Sequence, residues 1–220
     1  MNKKGVIVSG GSINDSFAMQ MIKNIKPDYV IGVDSGLHFL YHNQVVPTHV
    51  VGDFDSVSPE VIAYYKAMDG ISIRQFNPVK DATDTEIAVR LAAEFGVKEL
   101  WLLGATGTRL DHVMANIQVL KIAFDQGMKT YILDECNRIS VWEKEIRLCK
   151  QDGYGKYFSL FPLNGAVEDV TIEGAKYPLL HYRMSACESR CVSNEYKDDE
   201  VKITFPQGCV ILMETRDKES

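Results

Sequence analysis

The chain has 220 residues, of which 45% are hydrophobic and 10% aromatic, enough for one large domain or two modest ones with packed cores. A formal net charge of −6 and a pI near 5.4 argue against nucleic acid or an acidic membrane as a general partner. No apolar run approaches the roughly 20 residues that span a bilayer, and Val6-Ile7-Val8 is too short for a signal-peptide core, so a cytoplasmic location is expected.

From the start, strand and helix signals alternate. Val6 to Ser9 is a short apolar run closed by Gly10-Gly11, and Tyr29 to Val33 is another, ending at Asp34-Ser35-Gly36. Val50-Val51 leads into Gly52. Ser58-Pro59-Glu60 predicts a helix start, with a capping hydroxyl followed by proline at the first helical position. Ile71-Ser72-Ile73 alternates as a strand does. After Thr83, Ile87, Ala88, Leu91, Ala92 and Phe95 fall at helical spacing, and Gly96 ends the helix. Leu100 to Leu103 reads as a strand covered on both faces. A second long helix is expected from Leu110 to Gln126, closed by Gly127, before a last strand at Tyr131 to Leu133. This alternation predicts an α/β fold, a Rossmann-like parallel sheet with helices on both sides.

After Asp134 the helical signals stop. Asn137–Glu143, Tyr157–Phe161, Val167–Ile172, Val201–Phe205 and Val210–Glu214 are short strand-like runs, with glycines between them at sandwich-like spacing. The expected organisation is an α/β nucleotide domain over residues 1–136 and a small antiparallel β-sandwich lobe over 137–220. The five cysteines all lie in the second half and no Cys-x-x-Cys pair occurs. Cys187 and Cys191 would need a helix and two further ligands to make a zinc site, so reduced structural thiols are the better reading.

Three polar blocks each follow a predicted strand: Gly52-Asp53-Phe54-Asp55-Ser56, Lys80-Asp81-Ala82-Thr83-Asp84, and Gly104-Ala105-Thr106-Gly107-Thr108-Arg109-Leu110-Asp111-His112. In an α/β sheet such segments share the ligand-binding edge, and Asp34 belongs to that edge as well. Asp53, Asp55, Asp81, Asp84 and Asp111 supply hard oxygen ligands of the kind Mg²⁺ takes alongside substrate phosphates. Arg109 and the N–H groups of the glycine loop suit phosphate oxygens. Asp53 and Asp55, two apart in extended chain, are expected to project to one side, while Asp81 and Asp84 share a face at a helix start. Either of the latter also reads as a plain helix-start acid. His112 reads equally as a nucleotide contact or as a cap, and His38 and His42 as a solvated helix face. Neither Gly-x-x-x-x-Gly-Lys-Ser/Thr nor Gly-x-Gly-x-x-Gly occurs. The combined blocks point to a magnesium-dependent nucleotide site that moves a phosphoryl or pyrophosphoryl group.

Taken together, Gly52 to Ser56, Asp81-x-Thr83-Asp84 and Gly104-Ala105-x-Gly107-x-Arg109-x-Asp111-His112 resemble the thiamin pyrophosphokinase family. In the second half, Glu173-Gly174-Ala175-Lys176-Tyr177-Pro178-Leu179 and Ser193-Asn194-Glu195 are similar to that family's β-lobe motifs. The resemblance implies transfer of pyrophosphate from ATP to the hydroxyethyl group of thiamin, releasing AMP, by a homodimer whose thiamin site borders the partner chain. It implies that Asp53, Asp55, Asp81 and Asp84 hold Mg²⁺ and meet the polyphosphate. Asp34, Gly104, Thr106, Gly107, Arg109, Asp111 and His112 would position ATP, and Ser193 and Asn194 would contact thiamin. Asp84, then Asp81, is the first choice of base. Two positions depart from the pattern: Ser35 stands where glycine is more usual, and so does Thr108. A metal-dependent sugar-nucleotide glycosyltransferase using Asp53-x-Asp55, and a non-catalytic nucleotide or thiamin-binding regulator, are the alternative readings.

Overall fold

The computed structural model describes residues 2–76, 81–107 and 109–218. Lys80 of the second polar block and Thr108 of the third lie outside them. The chain divides into two units, residues 1–135 and 136–220.

The first unit runs β1 (Lys3–Val8), α1 (Asp15–Ile25), β2 (Tyr29–Val33), α2 (Gly36–His42), β3 (His49–Gly52), α3 (Pro59–Lys66), β4 (Ser72–Gln75), α4 (Asp84–Glu94), β5 (Val97–Leu103), α5 (Leu110–Asp125) and β6 (Lys129–Leu133). Its strands stand in the order β6-β5-β1-β2-β3-β4, and every adjacent pair is parallel. The chain steps outward from β1 to β4, then returns to the other side of β1 with β5. The order therefore reverses between β1 and β5, and loops leaving the carboxyl ends of those strands diverge to leave a crevice. Apolar strands with helices over them bury the interior: Val6, Ile7, Val8, Leu100 and Leu102 on the strands are fully enclosed, and so are Ala88, Leu91 and Leu120 on the helices.

The helix ends follow local chemistry. Thr83 caps α4, its hydroxyl accepting the Glu86 N–H at 3.2 Å, and Asn14 caps α1 in the same way through the Phe17 N–H at 3.0 Å. Gly96 and Gly127 follow α4 and α5 with φ of 73°, the left-handed geometry that ends a helix. Ser58 occupies the cap position of α3 but its hydroxyl makes no cap bond. Instead its N–H donates to His38 Nε2 at 3.4 Å, so His38 has a partner across the fold where a solvated face was expected.

The second unit holds β7 (Asn137–Trp142), β8 (Ile146–Cys149), β9 (Tyr157–Leu163), β10 (Val167–Glu173), β11 (Leu179–Met184), β12 (Asn194–Glu195), β13 (Glu200–Thr204) and β14 (Cys209–Thr215). They form two antiparallel layers, β12-β9-β14-β7 and β11-β10-β13-β8. Residues two apart on each strand meet in one core: Phe158 and Leu160, Val210 and Leu212, Val201 and Ile203, Val170 and Ile172, Ile146 and Leu148. This is the inward-facing half of each alternation, as a sandwich requires. Three of these strands, β8, β11 and the two-residue β12, were not anticipated. The first is only four residues long. The second is broken by bulges where β10 and β11 pair, with Asp169 and His181 in left-handed backbone, which erases a clean alternation. The five cysteines stand as thiols. Among the described residues no helix is long and apolar enough to cross a membrane.

Candidate active site

A cleft of about 710 Å³ opens at the carboxyl edge of the parallel sheet, at the β1/β5 reversal. Its walls are the segments after β1, β2, β3 and β5, together with the first turns of α4 and α5.

Glycines allow these segments to touch. A side chain on Gly11 would lie 2.1 Å from the Thr106 carbonyl oxygen, and one on Gly104 would lie 2.3 Å from that of Ser9. Gly104 and Gly107 also have φ of 64° and 150°, which L side chains resist. With the backbones so close, hydrogen bonds join the two loops: the Ser9 N–H donates to Leu103 O at 2.9 Å, Gly11 to Gly104 O at 2.7 Å and Ser12 to Thr106 O at 2.8 Å. Beneath them the Ser9 and Thr85 hydroxyls share a buried hydrogen bond of 3.0 Å.

Asp34, Asp55, Asp84, Gly104, Thr106, Gly107, Arg109 and His112 all line the cleft. Asp34 sits in left-handed backbone with φ of 44°, and its carboxylate lies where a Gly52 side chain would be, 2.0 Å from that position. Ser35, the departure beside it, has an ordinary helical φ of −63° and its hydroxyl donates to Gly10 O at 3.4 Å. A serine is therefore unstrained there. The Thr106 hydroxyl is engaged by Asp134 at 2.9 Å, leaving its backbone to face the cleft.

Asp53, Asp81 and Asp111 do not line it. The expectation that Asp53 and Asp55 project to one side of an extended strand fails because Phe54 is left-handed, with φ of 66°. The chain turns instead, and Asp53 Oδ1 accepts the Asp55 N–H at 3.1 Å, so Asp53 shapes the turn that presents Asp55. Asp81 is exposed two residues before the α4 cap. Asp111 is engaged with Arg109, whose Nε and Nη2 donate to its two oxygens at 3.3 and 2.7 Å. The guanidinium beside it, and the His112 N–H, hold the Asp111 carboxyl at about 2, well below the usual range.

Among the described residues no group of three His, Cys, Asp or Glu side chains is arranged to hold a metal. Two acids that open on one cleft, Asp55 and Asp84, nevertheless match the way Mg²⁺ is commonly bound, by one or two carboxylates with substrate phosphates and water completing the shell. Several cleft residues carry no site signal in the sequence: Gly10, Gly11 and Ser12, whose glycine doublet reads only as a strand end, and Ser9, Thr85 and Asn116.

In the second unit Asn194 is buried at 4% exposure. Its carbonyl accepts the Tyr177 N–H at 3.0 Å and the Glu195 N–H at 2.9 Å, and its amide donates to Tyr177 O at 2.8 Å. The side chain expected to touch thiamin is thus engaged in holding Tyr177, whose own ring is 56% exposed. Ser193 is exposed, with φ of 56° and its N–H on Ser159 Oγ. Glu195 pairs with Lys176 at 2.6 Å.

A parallel sheet with a glycine-lined, acid-bearing cleft at its switch point places the first unit in the doubly wound α/β class, here followed in the chain by a β-sandwich unit. The family model for the thiamin pyrophosphokinase catalytic domain matches residues 20–132, and that for the vitamin B1 binding domain of the same enzyme matches residues 143–210. The chain belongs to the thiamin pyrophosphokinase family. It is 29% identical over 205 residues to thiamine pyrophosphokinase of Bacillus subtilis, a match covering 89% of this chain and 95% of the relative. The crystal structure of a Bacillus subtilis thiamine pyrophosphokinase superposes with a TM-score of 0.86 at 28% identity, covering 98% of this chain and all of the other. The yeast thiamin pyrophosphokinase structure shares the fold at 17% identity, with a TM-score of 0.82 over 96% of this chain and 86% of the other.

Proposed function

We propose that the chain is an ATP:thiamin pyrophosphotransferase that forms thiamin diphosphate and AMP. The observation that carries this reading is the cleft at the β1/β5 reversal, where Asp55 and Asp84 share one opening with residues 104–107 and Arg109. The thiamin hydroxyl oxygen forms a bond to the β-phosphorus of ATP, the bond from that phosphorus to the bridging α–β oxygen breaks, and AMP leaves. Such transfer is mainly positioning and charge neutralisation. Residues 104–107 hold phosphate oxygens through backbone N–H groups, and Arg109, presented by Asp111, adds charge with a two-pronged donor. His112 and Asp34 border the nucleotide.

Asp55 and Asp84 would hold Mg²⁺, with Asp53 shaping the Asp55 turn and Asp81 beside the α4 start. Bound there, Mg²⁺ would neutralise polyphosphate charge that otherwise repels the incoming alcohol. Asp84, which lines the cleft where Asp81 does not, is the preferred acceptor of the hydroxyl proton.

We assign the nucleotide work to residues 1–136, and thiamin binding and dimerisation to residues 137–220. Ser193 contacts thiamin, and Asn194 serves the site by holding Tyr177, whose exposed ring suits a cationic heterocycle. A homodimer is supported by the exposed apolar side chains Tyr177, Leu180 and Val192 of this unit. The cysteine thiols support a cytoplasmic setting. A sugar-nucleotide transferase would leave Asp84, Arg109 and the glycine loop without a task. Incubation with ATP, Mg²⁺ and thiamin tests the reading: equal amounts of AMP and thiamin diphosphate are expected, and ADP or free phosphate in their place would refute it.

A further inference from the structure

Asn116 lies in the second turn of α5, and its side chain is 6% exposed. A polar side chain so enclosed on a helix face is costly unless it is bonded. Its Nδ2 donates to the Ala105 carbonyl at 2.8 Å, and Ala105 itself is 2% exposed. Three successive carbonyls of the glycine loop are thereby tied: Gly104 O to the Gly11 N–H, Ala105 O to Asn116, and Thr106 O to the Ser12 N–H. In a planar trans peptide the N–H points opposite to the preceding carbonyl. Fixing these three carbonyls therefore fixes the aim of the Ala105, Thr106 and Gly107 N–H groups. The outer two ties are backbone bonds that any sequence with these glycines can make, and the central one depends on a side chain.

We propose that Asn116 is a positioning residue of the nucleotide cleft, orienting the backbone N–H groups of residues 105–107 toward the phosphates of ATP. The inference rests on the nucleotide reading above. It separates Asn116 from ordinary core residues of the same helix: loosening the core disturbs both substrates, while releasing Ala105 O turns one peptide within the phosphate loop and disturbs ATP.

The test uses the full chain with steady-state kinetics and, independently, calorimetric titration with a non-hydrolysable ATP analogue and Mg²⁺. Asn116→Leu keeps the volume and removes the donor; loss of this one bond should raise the KM for ATP and the analogue Kd about tenfold, with the KM for thiamin within about twofold. Ile117→Val, at the next and equally buried position, should leave both ATP values within about twofold. If Asn116→Leu does not fold, Asn116→Asp replaces it, since a carboxylate of the same shape cannot donate to Ala105 O at pH 8. An analogue Kd within twofold of wild type for the folded variant overturns the proposal, and so does a parallel rise in both substrate KM values. A wild type that binds the analogue but forms no thiamin diphosphate would refute the functional reading and leave the positioning role to be decided by the Kd comparison.

Discussion

In the α/β unit the polar groups of residues 9–12, 34, 35, 55, 56, 104–107 and 109 border open space, whereas in the β unit the polar motif at 193–195 closes on the chain itself. Around the cleft, backbone bonds between adjacent loops satisfy the Gly104 and Thr106 carbonyls, Asn116 satisfies that of Ala105, and Asp55 and Asp84 open on the cleft. Around Asn194, one side chain satisfies both backbone groups of Tyr177 and has little capacity left for a ligand. Similar polar clusters in sequence thus end in opposite roles. The difference lies in whether the local hydrogen-bonding demand is met by groups outside the polar motif or by the motif's own side chain.

That contrast can be broken most severely at the acids. Under the proposed function, Asp55→Asn or Asp84→Asn should lower kcat by roughly a hundredfold or more, since each removes charge that would hold the cation and polyphosphate. A thermal unfolding curve little changed from wild type is expected alongside, because neither carboxylate is in the core. Activity close to wild type at saturating Mg²⁺ would remove that residue from the site.

In the β unit, Asn194→Ala should instead show first as lost stability. It leaves the Tyr177 N–H and carbonyl without their partner, at about 1–3 kcal/mol, readable as a lower urea midpoint. Ser193→Ala should leave the midpoint unchanged and raise the KM for thiamin. Reversal of this pattern, with a stable Asn194→Ala protein that binds thiamin poorly, would return Asn194 to direct contact.

A smaller effect concerns pH. Burial, helped by the nearby Arg74 charge, lowers the His49 pKa from its ordinary 6.5. Between the lowered folded value and 6.5 the unfolded chain binds more protons, so stability should fall as the pH drops through that window. His49→Phe should flatten the slope in chemical denaturation series at pH 5 to 7. The Arg109–Asp111 pair should add no slope there, since its carboxyl stays ionised down to about 2.

The smallest expected change is a gain. The Tyr196 hydroxyl is buried without a hydrogen-bond partner among the described residues, and burial pushes its pKa up to about 12. Tyr196→Phe should therefore hold or raise stability by up to about 1 kcal/mol. A clear loss would mean that the hydroxyl has a partner such as a bound water.

The glycine-loop blocks were legible because their demands are local. Gly104 and Gly107 need special φ values, and a capping threonine announces α4 at Thr83. The strand alternation of the sandwich was legible wherever pairs such as Val210 and Leu212 face one core. What failed was anything set by a neighbour distant in sequence or by one unexpected dihedral. Phe54 in the left-handed region undid the geometry expected for Asp53 and Asp55. Nothing in the helical pattern of α5 separates Asn116 from a solvated asparagine, since the carbonyl it serves belongs to another segment. For Asn194 the motif marked an important residue, while its partner could be found only from the pairing of the folded chain.

The ladder of bonds from Ser9, Gly11 and Ser12 to the 103–106 segment prolongs the β1–β5 pairing past the ends of both strands. The Ser9 amide, buried at the root of this ladder, should be counted with the slow exchangers of the domain, and the exposed Gly11 and Ser12 amides should exchange faster by local opening. The Asp55 amide, bonded to the side chain of Asp53 in an exposed turn, opens without disturbing any strand. The cleft accordingly has one wall tied to the sheet and one that is not, so adjustment to a ligand is expected of the segment between β3 and α3.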